Sequence, residues 1–179
     1  MKRIYGVCVA ILTAVISSCS NMGSGDNKLV FENNMEASYA WSDIPQRNLI
    51  YSPVAHSGKY VCIIDSANVF SITYNMKMRD VDPEPLKRVK VGAWFNAQQD
   101  GSDPNLAIDV RDSLGNTIDW ISQNSKELSK RTGNWEWMEM SIDLTVKKRN
   151  ASGNSLRIYA FNKMPAGCLV DDFQVAYEK

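Results

Sequence analysis

The strongest constraint on the fold is a repeated alternation of apolar and polar residues in short runs. Residues 88–97, for example, place Val89, Val91 and Phe95 on one side of an extended chain. A period of two residues with one apolar face is typical of half-buried antiparallel strands. Further strand candidates are residues 29–32, 59–64, 69–76, 106–111, 117–121, 137–144, 155–161 and 168–177.

The breaks between these runs carry the residues that interrupt strands. All six prolines lie outside the candidate strands, and residues 112–116 (DSLGN) have the composition of a turn. No segment shows a convincing helical period, and the polar residues 122–131 are predicted to form a loop. The pattern therefore predicts an all-β fold, a sandwich of two antiparallel sheets with about nine strands.

Composition excludes several classes of function. With 20 basic and 20 acidic residues, the chain lacks the positive excess of a nucleic-acid-binding protein, and we expect no nucleic-acid partner. One histidine and four cysteines cannot supply the ligand spacing of a zinc finger. Catalysis by a Ser-His-Asp or Cys-His set would depend on His56, which no nucleophile motif accompanies. We therefore expect a protein that is not an enzyme.

The first residues are typical of an export signal. Two basic residues precede an uncharged stretch, residues 4–16, that is too short to span a bilayer as a helix. Residues 16–19 (ISSC) resemble the lipobox of bacterial lipoproteins, in which the cysteine is lipidated and becomes the first residue. A plain secretory signal cut elsewhere is the alternative.

These features divide the chain into three parts. We expect a lipoprotein signal peptide at residues 1–18, a lipid on Cys19, a flexible tether over residues 19–28 and a folded domain at residues 29–179. The lipid would anchor the protein to a membrane of the bacterial cell envelope, and we expect the outer membrane. Whether the domain then faces the periplasm or the outside is left open.

An ordered set of short segments resembles the galactose-binding-like jelly roll of carbohydrate-binding modules. The segments are residues 30–33 (VFEN) with Trp41, 55–60 (AHSGKY), 89–95 (VKVGAWF), 133–135 (GNW) and 168–173 (CLVDDF). The resemblance implies a jelly-roll sandwich and a non-catalytic module that binds a glycan, without saying which glycan. Because one jelly roll carries many functions, the resemblance does not identify the glycan-binding residues.

The resemblance also implies one structural calcium ion. Its ligands would be Glu32 of the first strand, the backbone carbonyl of Lys59 and the carboxylate of Asp171, with Asp172 as the second choice for the last position. Alternation places Asp171 on the same face as Phe173, which we expect to be the core face. A carboxylate there needs a partner, because an unpaired buried charge is costly. The alternative to calcium is a carboxylate hydrogen-bonded to backbone amides of a turn.

Two cysteines remain in the predicted domain. An exported domain can oxidise them, and the resemblance places the strands of Cys62 and Cys168 side by side. Cys62 shares the face of Ile64, whereas Cys168 has the opposite parity to Asp171, so the two side chains are expected to point apart. We therefore predict two unpaired thiols, with a disulfide as the alternative.

Alternation also predicts a surface on which a glycan could bind. Aromatic rings stack on the apolar faces of sugars, and planar polar groups bond their hydroxyls. Trp120 joins the set if its parity holds. The residues predicted to form this groove are Asp109, Arg111, Trp120, Arg157, Tyr159 and Phe161.

Two tryptophans on the other sheet suggest a different function. Trp94 and Trp137 both fall on the polar-facing side of their strands, and the resemblance makes these strands neighbours. Exposed aromatic pairs mark partner-binding surfaces. The alternative prediction is therefore a structural or adhesion lipoprotein that binds an envelope protein through this patch. A third possibility is that Trp135, and Trp137 with it, packs under a loop.

Overall fold

The structure is a computed structural model that describes residues 28–36, 41, 48–82, 84–124 and 132–179. Within these ranges the chain forms ten β-strands and one short helix. The strands are β1 Lys28–Asn33, β2 Leu49–Tyr51, β3 Tyr60–Ile64, β4 Tyr74–Lys77, β5 Arg88–Ala97, β6 Asn105–Arg111, β7 Thr117–Asn124, β8 Trp135–Asp143, β9 Ser155–Phe161 and β10 Cys168–Glu178. The helix, α1 Met78–Val81, lies between β4 and β5.

The described strands form two antiparallel sheets. The six-stranded sheet has the order β2-β3-β10-β5-β8, with β1 paired to the second half of β10. The four-stranded sheet has the order β4-β9-β6-β7. The prediction of an all-β sandwich with two antiparallel sheets is confirmed.

One core lies between the sheets, built from the alternating apolar positions. Val91 and Phe95 of β5 and Leu156 and Ile158 of β9 are all fully buried in it. Along each regular stretch of strand every second residue therefore points outward, and the outward residues of the two sheets form two separate surfaces.

The predicted element boundaries differ from the structure in four places. β2 was not predicted, because a strand of three residues is too short to show alternation. Of the run at residues 69–76, only its end belongs to a strand, β4. The single turn of α1 is likewise too short to show a helical period. In the predicted loop at residues 122–131, β7 continues to Asn124, and residues 125–131 lie outside the described residues.

A β-bulge in β10 corrects the predicted orientation of Asp171. Asp171 lies opposite Trp94 of β5, whereas Gln174 lies opposite Gly92, so one extra residue is inserted between them. Asp172, at this point, has a φ of 48°. A bulge of one residue reverses the parity of all residues before it. Asp171 therefore lies on the outer face of the six-stranded sheet, and the prediction of the core face is wrong.

The same bulge turns Cys168 of β10 toward the core, where Cys62 of β3 lies by regular alternation. Cys62 and Cys168 are completely buried and belong to the core cluster, so the prediction that their side chains point apart is wrong. They are nevertheless free thiols in the structure. Cys62 pairs with Val170, and Cys168 pairs with Ile64, which makes the cysteines diagonal neighbours. Diagonal pairs lie about 7–8 Å apart, beyond the usual Cα separation of a disulfide.

The predicted signal peptide, the lipidated Cys19 and the tether up to residue 27 lie outside the described residues. Among the residues that are described, no helix is long and apolar enough to cross a membrane.

Candidate functional site

The predicted glycan-binding residues lie together on the outer face of the four-stranded sheet. Asp109 of β6 pairs with Trp120 of β7 on one side and with Arg157 of β9 on the other. Directly paired residues share a face. Alternation then places Tyr159 and Phe161 farther along the same face of β9. Trp120 has the parity that its membership of the predicted groove required.

Four aromatic rings touch one another on this surface, which we call the aromatic face. The Trp120 indole N–H donates to the Tyr159 hydroxyl at 3.1 Å. The ring centre of Phe161 lies 6.2 Å from those of both Trp120 and Tyr159. The fourth ring, Phe70, packs edge-on against Tyr159 at 5.6 Å. Trp120 is 47% exposed and Phe70 54%, so the face offers a broad aromatic surface to a ligand.

Phe70 was missed at the sequence level. It lies in the run at residues 69–76, where a regular strand was expected and no outward face was assigned. The chain touches the sheet there through an isolated bridge between Phe70 and Phe161. The only signal in the sequence that could have indicated Phe70 was an aromatic residue near the start of this strand-like run.

The charged residues of the aromatic face have separate roles. Asp109 is buried and accepts from Arg111 Nε at 2.7 Å and from the Thr117 hydroxyl at 2.8 Å. It therefore holds Arg111 in place and has little surface to offer a ligand. The Arg157 side chain is half-buried and makes no hydrogen bond or ion pair within the described part of the chain. The Lys163 ammonium lies 5.7 Å from the Phe161 ring centre, so positive charge predominates around the rings.

The second predicted surface, on the six-stranded sheet, contains a cleft of about 820 Å³. Trp94 and Trp137 lie directly opposite each other on β5 and β8, with ring centres 5.6 Å apart, as predicted. The Trp137 ring covers Gly92 so closely that a Cβ atom there would lie 2.0 Å from Trp137 Cζ2. We call this site the tryptophan cleft; its lining includes Glu32, Asn33, Trp94, Trp137, Asp172 and Gln174.

A turn around His56 closes one end of the tryptophan cleft. The imidazole stacks on Trp94 with ring centres 4.2 Å apart, and its Nδ1 lies 2.6 Å from Asp172 Oδ2. The Ser57 hydroxyl donates to Asp172 Oδ1 at 2.6 Å. Since Ser57 bonds the carboxylate instead of the imidazole, the two side chains do not form a nucleophile–base pair here. Trp135 also packs under this loop, as predicted, and its indole N–H donates to the carbonyl of Val54 at 2.8 Å.

Asp171 fastens the same turn to the sheet. Its Oδ2 accepts from the backbone amides of His56 and Ser57 at 3.0 and 3.1 Å, and its Oδ1 accepts from the amide of Asp172 at 2.8 Å. Loss of hydration raises the pKa of Asp171 to about 6, although the amides favour the charged form. The geometry matches the alternative of a carboxylate bonded to turn amides.

The three predicted calcium ligands already have hydrogen-bond partners in the protein. Glu32 Oε1 accepts from Gln174 Nε2 at 2.8 Å, and the Lys59 carbonyl accepts from the amide of Ser52 at 2.9 Å. Asp171 is likewise bonded to the amides of the turn. No group of three or more His, Cys, Asp or Glu side chains among the described residues is placed to hold a metal. Calcium at this edge stays a prediction.

Comparison with known proteins identifies the fold. No family model matches the sequence, and no curated protein matches it. Solved structures do match. The CBM22-1 xylan-binding domain of Paenibacillus barcinonensis Xyn10C is similar with a TM-score of 0.56 at 15% identity, over 87% of this chain and 99% of that domain.

The second match is the xylan-binding module CBM15, with a TM-score of 0.51 at 15% identity, over 85% of this chain and 97% of that module. The fold is the β-sandwich of these carbohydrate-binding modules. At this level of identity the similarity establishes the fold alone and does not identify a ligand.

Proposed function

We propose that this protein is a non-catalytic carbohydrate-binding module that is lipid-anchored to the bacterial cell envelope. The observation that carries the proposal is the aromatic face, where a connected cluster of four rings lies beside Arg111 and Arg157 on an open sheet surface. A row of rings offers apolar surface to the C–H faces of successive sugar units, and the planar guanidinium groups can bond their hydroxyls. The fold shared with two xylan-binding modules supports the same reading.

The charge of the aromatic face favours an acidic glycan. Arg111 and Asp109 neutralise each other, whereas Arg157, Lys163 and the exposed Lys77 of β4 have no acidic partner within the described residues. Carboxylate groups on a polysaccharide would be attracted to this field, more strongly at low salt. Uronic-acid-bearing polysaccharides are therefore the first class to test.

The test is binding of the purified protein to a panel of soluble polysaccharides, followed by titration calorimetry with any that bind. Trp120→Ala and Tyr159→Ala should each weaken binding about thirtyfold, as expected for an aromatic contact worth about 2 kcal/mol, with unchanged melting. Tyr51→Ala is the matched control, because Tyr51 is an exposed aromatic on the edge strand of the other sheet. Binding that survives both changes on the aromatic face would refute the proposed site.

A second candidate function is recognition of an envelope protein through Trp94 and Trp137. It is favoured by the adjacency of the two rings and by Trp137, which is 39% exposed. It is placed second because His56 stacks on Trp94 and reduces the surface left for a partner. Co-purification of a stoichiometric protein that is lost with Trp94→Ala, with glycan binding intact, would support it.

The lipid anchor is proposed from the sequence ISSC at residues 16–19 alone. Mass spectrometry of the protein from the membrane fraction tests it: acyl chains on Cys19 as the first residue are expected. A protein that is cut at another residue and carries no lipid would contradict the anchor.

A further inference from the structure

We infer that the tryptophan cleft is a second ligand site, which takes a neutral saccharide unit. It lies on the opposite sheet from the aromatic face and does not depend on the function proposed for that face. Its volume of about 820 Å³ is that of a small-molecule site.

One wall of the cleft is formed by a single aromatic ring, that of Trp137. The Trp137 ring lies over Gly92, and no other residue type fits beneath it without moving the ring. Trp94 stands beside it, but its partner is His56, stacked at 4.2 Å. The cleft therefore offers one exposed indole, which suits stacking on one face of a pyranose ring. A cage for an ammonium ion needs several open ring faces around the ligand.

The remaining walls carry hydrogen-bonding groups whose positions are already fixed. Glu32 is held by Gln174, and the Asp172 carboxylate is held by His56 and Ser57. Acceptors that are held in place bind a pair of sugar hydroxyls without further ordering.

Asn33 adds an unused donor to this lining. Its Oδ1 accepts from the Met35 amide at 2.8 Å, which fixes the orientation of the side-chain amide. Its Nδ2 has no hydrogen-bond partner in the described structure, although Asn33 is only 5% exposed. A buried unsatisfied donor is costly and needs an explanation. A ligand oxygen in the cleft would supply the missing acceptor.

The charge of the lining selects against acidic ligands. Among the described residues that line the cleft, Glu32 and Asp172 are acidic and none is basic. These two carboxylates would repel a carboxylate or phosphate group on a ligand bound in the cleft, whereas sugar hydroxyls are good donors to both of them. The two faces of the protein thus differ in charge, with the aromatic face suited to acidic glycans and the cleft to neutral saccharides.

The inference can be tested by NMR of the tryptophan indole N–H signals in the full chain. The probes are the methyl glycosides of glucose, galactose, mannose and xylose, with choline and glucuronic acid for comparison. The Trp137 signal, assigned by its loss in Trp137→Ala, should shift saturably with at least one neutral glycoside. Glu32→Gln, which keeps the shape of an exposed side chain, should weaken this binding about tenfold, or about 1.4 kcal/mol.

Two controls separate this site from the proposed function. Tyr51→Ala should leave the titration unchanged, and so should Trp120→Ala, which removes a ring of the aromatic face only. If no neutral glycoside moves the Trp137 signal, the inference is overturned, even where polysaccharide binding at the aromatic face is intact. A response to choline alone would make the cleft a cation site, and loss of a co-purifying protein in Trp137→Ala without any glycoside response would make it a protein contact.

Discussion

Acidification from pH about 7 to about 5 is expected to stabilise the protein through Asp171. The pKa of this carboxyl is about 6 in the folded protein, against an ordinary value of 3.8. Burial is the main cause, and the neighbouring Asp172 carboxylate raises the pKa further. The folded state therefore binds the proton more tightly than the unfolded state. The resulting stabilisation is fully present below the unfolded pKa and is lost as the pH rises through the folded pKa.

The size of the effect follows from the two pKa values. A difference of about two units corresponds to about 3 kcal/mol at most, and the part gained between pH about 7 and about 5 is about 1.4 kcal/mol. Carboxyl groups with lowered pKa values, such as those of Glu36, Asp112 and Asp143, act in the opposite direction. The ordinary pKa is 4.5 for Glu36 and 3.8 for the two aspartates, and the folded values lie lower. Their stabilising contribution is therefore lost below this pH window, as the pH falls from the ordinary values through the folded ones.

The assay is urea unfolding of the wild-type protein and of Asp171→Asn at both pH values. The stability difference between them should shift by about 1.4 kcal/mol in favour of the wild type on acidification, since asparagine cannot take up the proton. Asp100→Asn, at an exposed position after β5, serves as the control and should follow the wild type. The reasoning is refuted if Asp171→Asn shows the same pH response as the wild type.

Four further outcomes are expected. Thiol counting on unfolded, unreduced protein should give two free groups from Cys62 and Cys168, whereas none would reveal a disulfide. If Asp171 is held by turn amides, as the geometry favours, a chelator should leave the thermal unfolding midpoint unchanged. A lower midpoint in chelator would instead indicate a bound calcium ion. Gly92→Ala should lower stability by about 1–3 kcal/mol in urea unfolding, because the added Cβ displaces the Trp137 ring; no change would mean that the ring moves freely. The preference for an acidic over a neutral polysaccharide should shrink at high salt and in Arg157→Ala, and a salt-independent preference would contradict the charge argument.

The alternation of apolar and polar residues along the sequence was sufficient to predict the two-sheet fold and most residues of the aromatic face. Alternation depends only on neighbouring residues, so it predicted which side chains of β5, β6 and β9 face the core. It also placed Tyr159 on an outward face together with Asp109, because these strands contain no irregularity in their pairing with each other. The pairing of Trp94 with Trp137 needed only the strand order that the resemblance supplied.

Other features depend on where distant segments meet, and only the tertiary structure decided them. A single inserted residue at Asp172 reverses the face of Asp171, and alternation cannot show which strand will bulge. Phe70 joins the aromatic face through one isolated bridge, and the tryptophan cleft exists because Gly92 lies beneath a ring from another strand. A sequence pattern reports the period of one strand, whereas a binding surface is made by the register between strands and by the loops packed beside them.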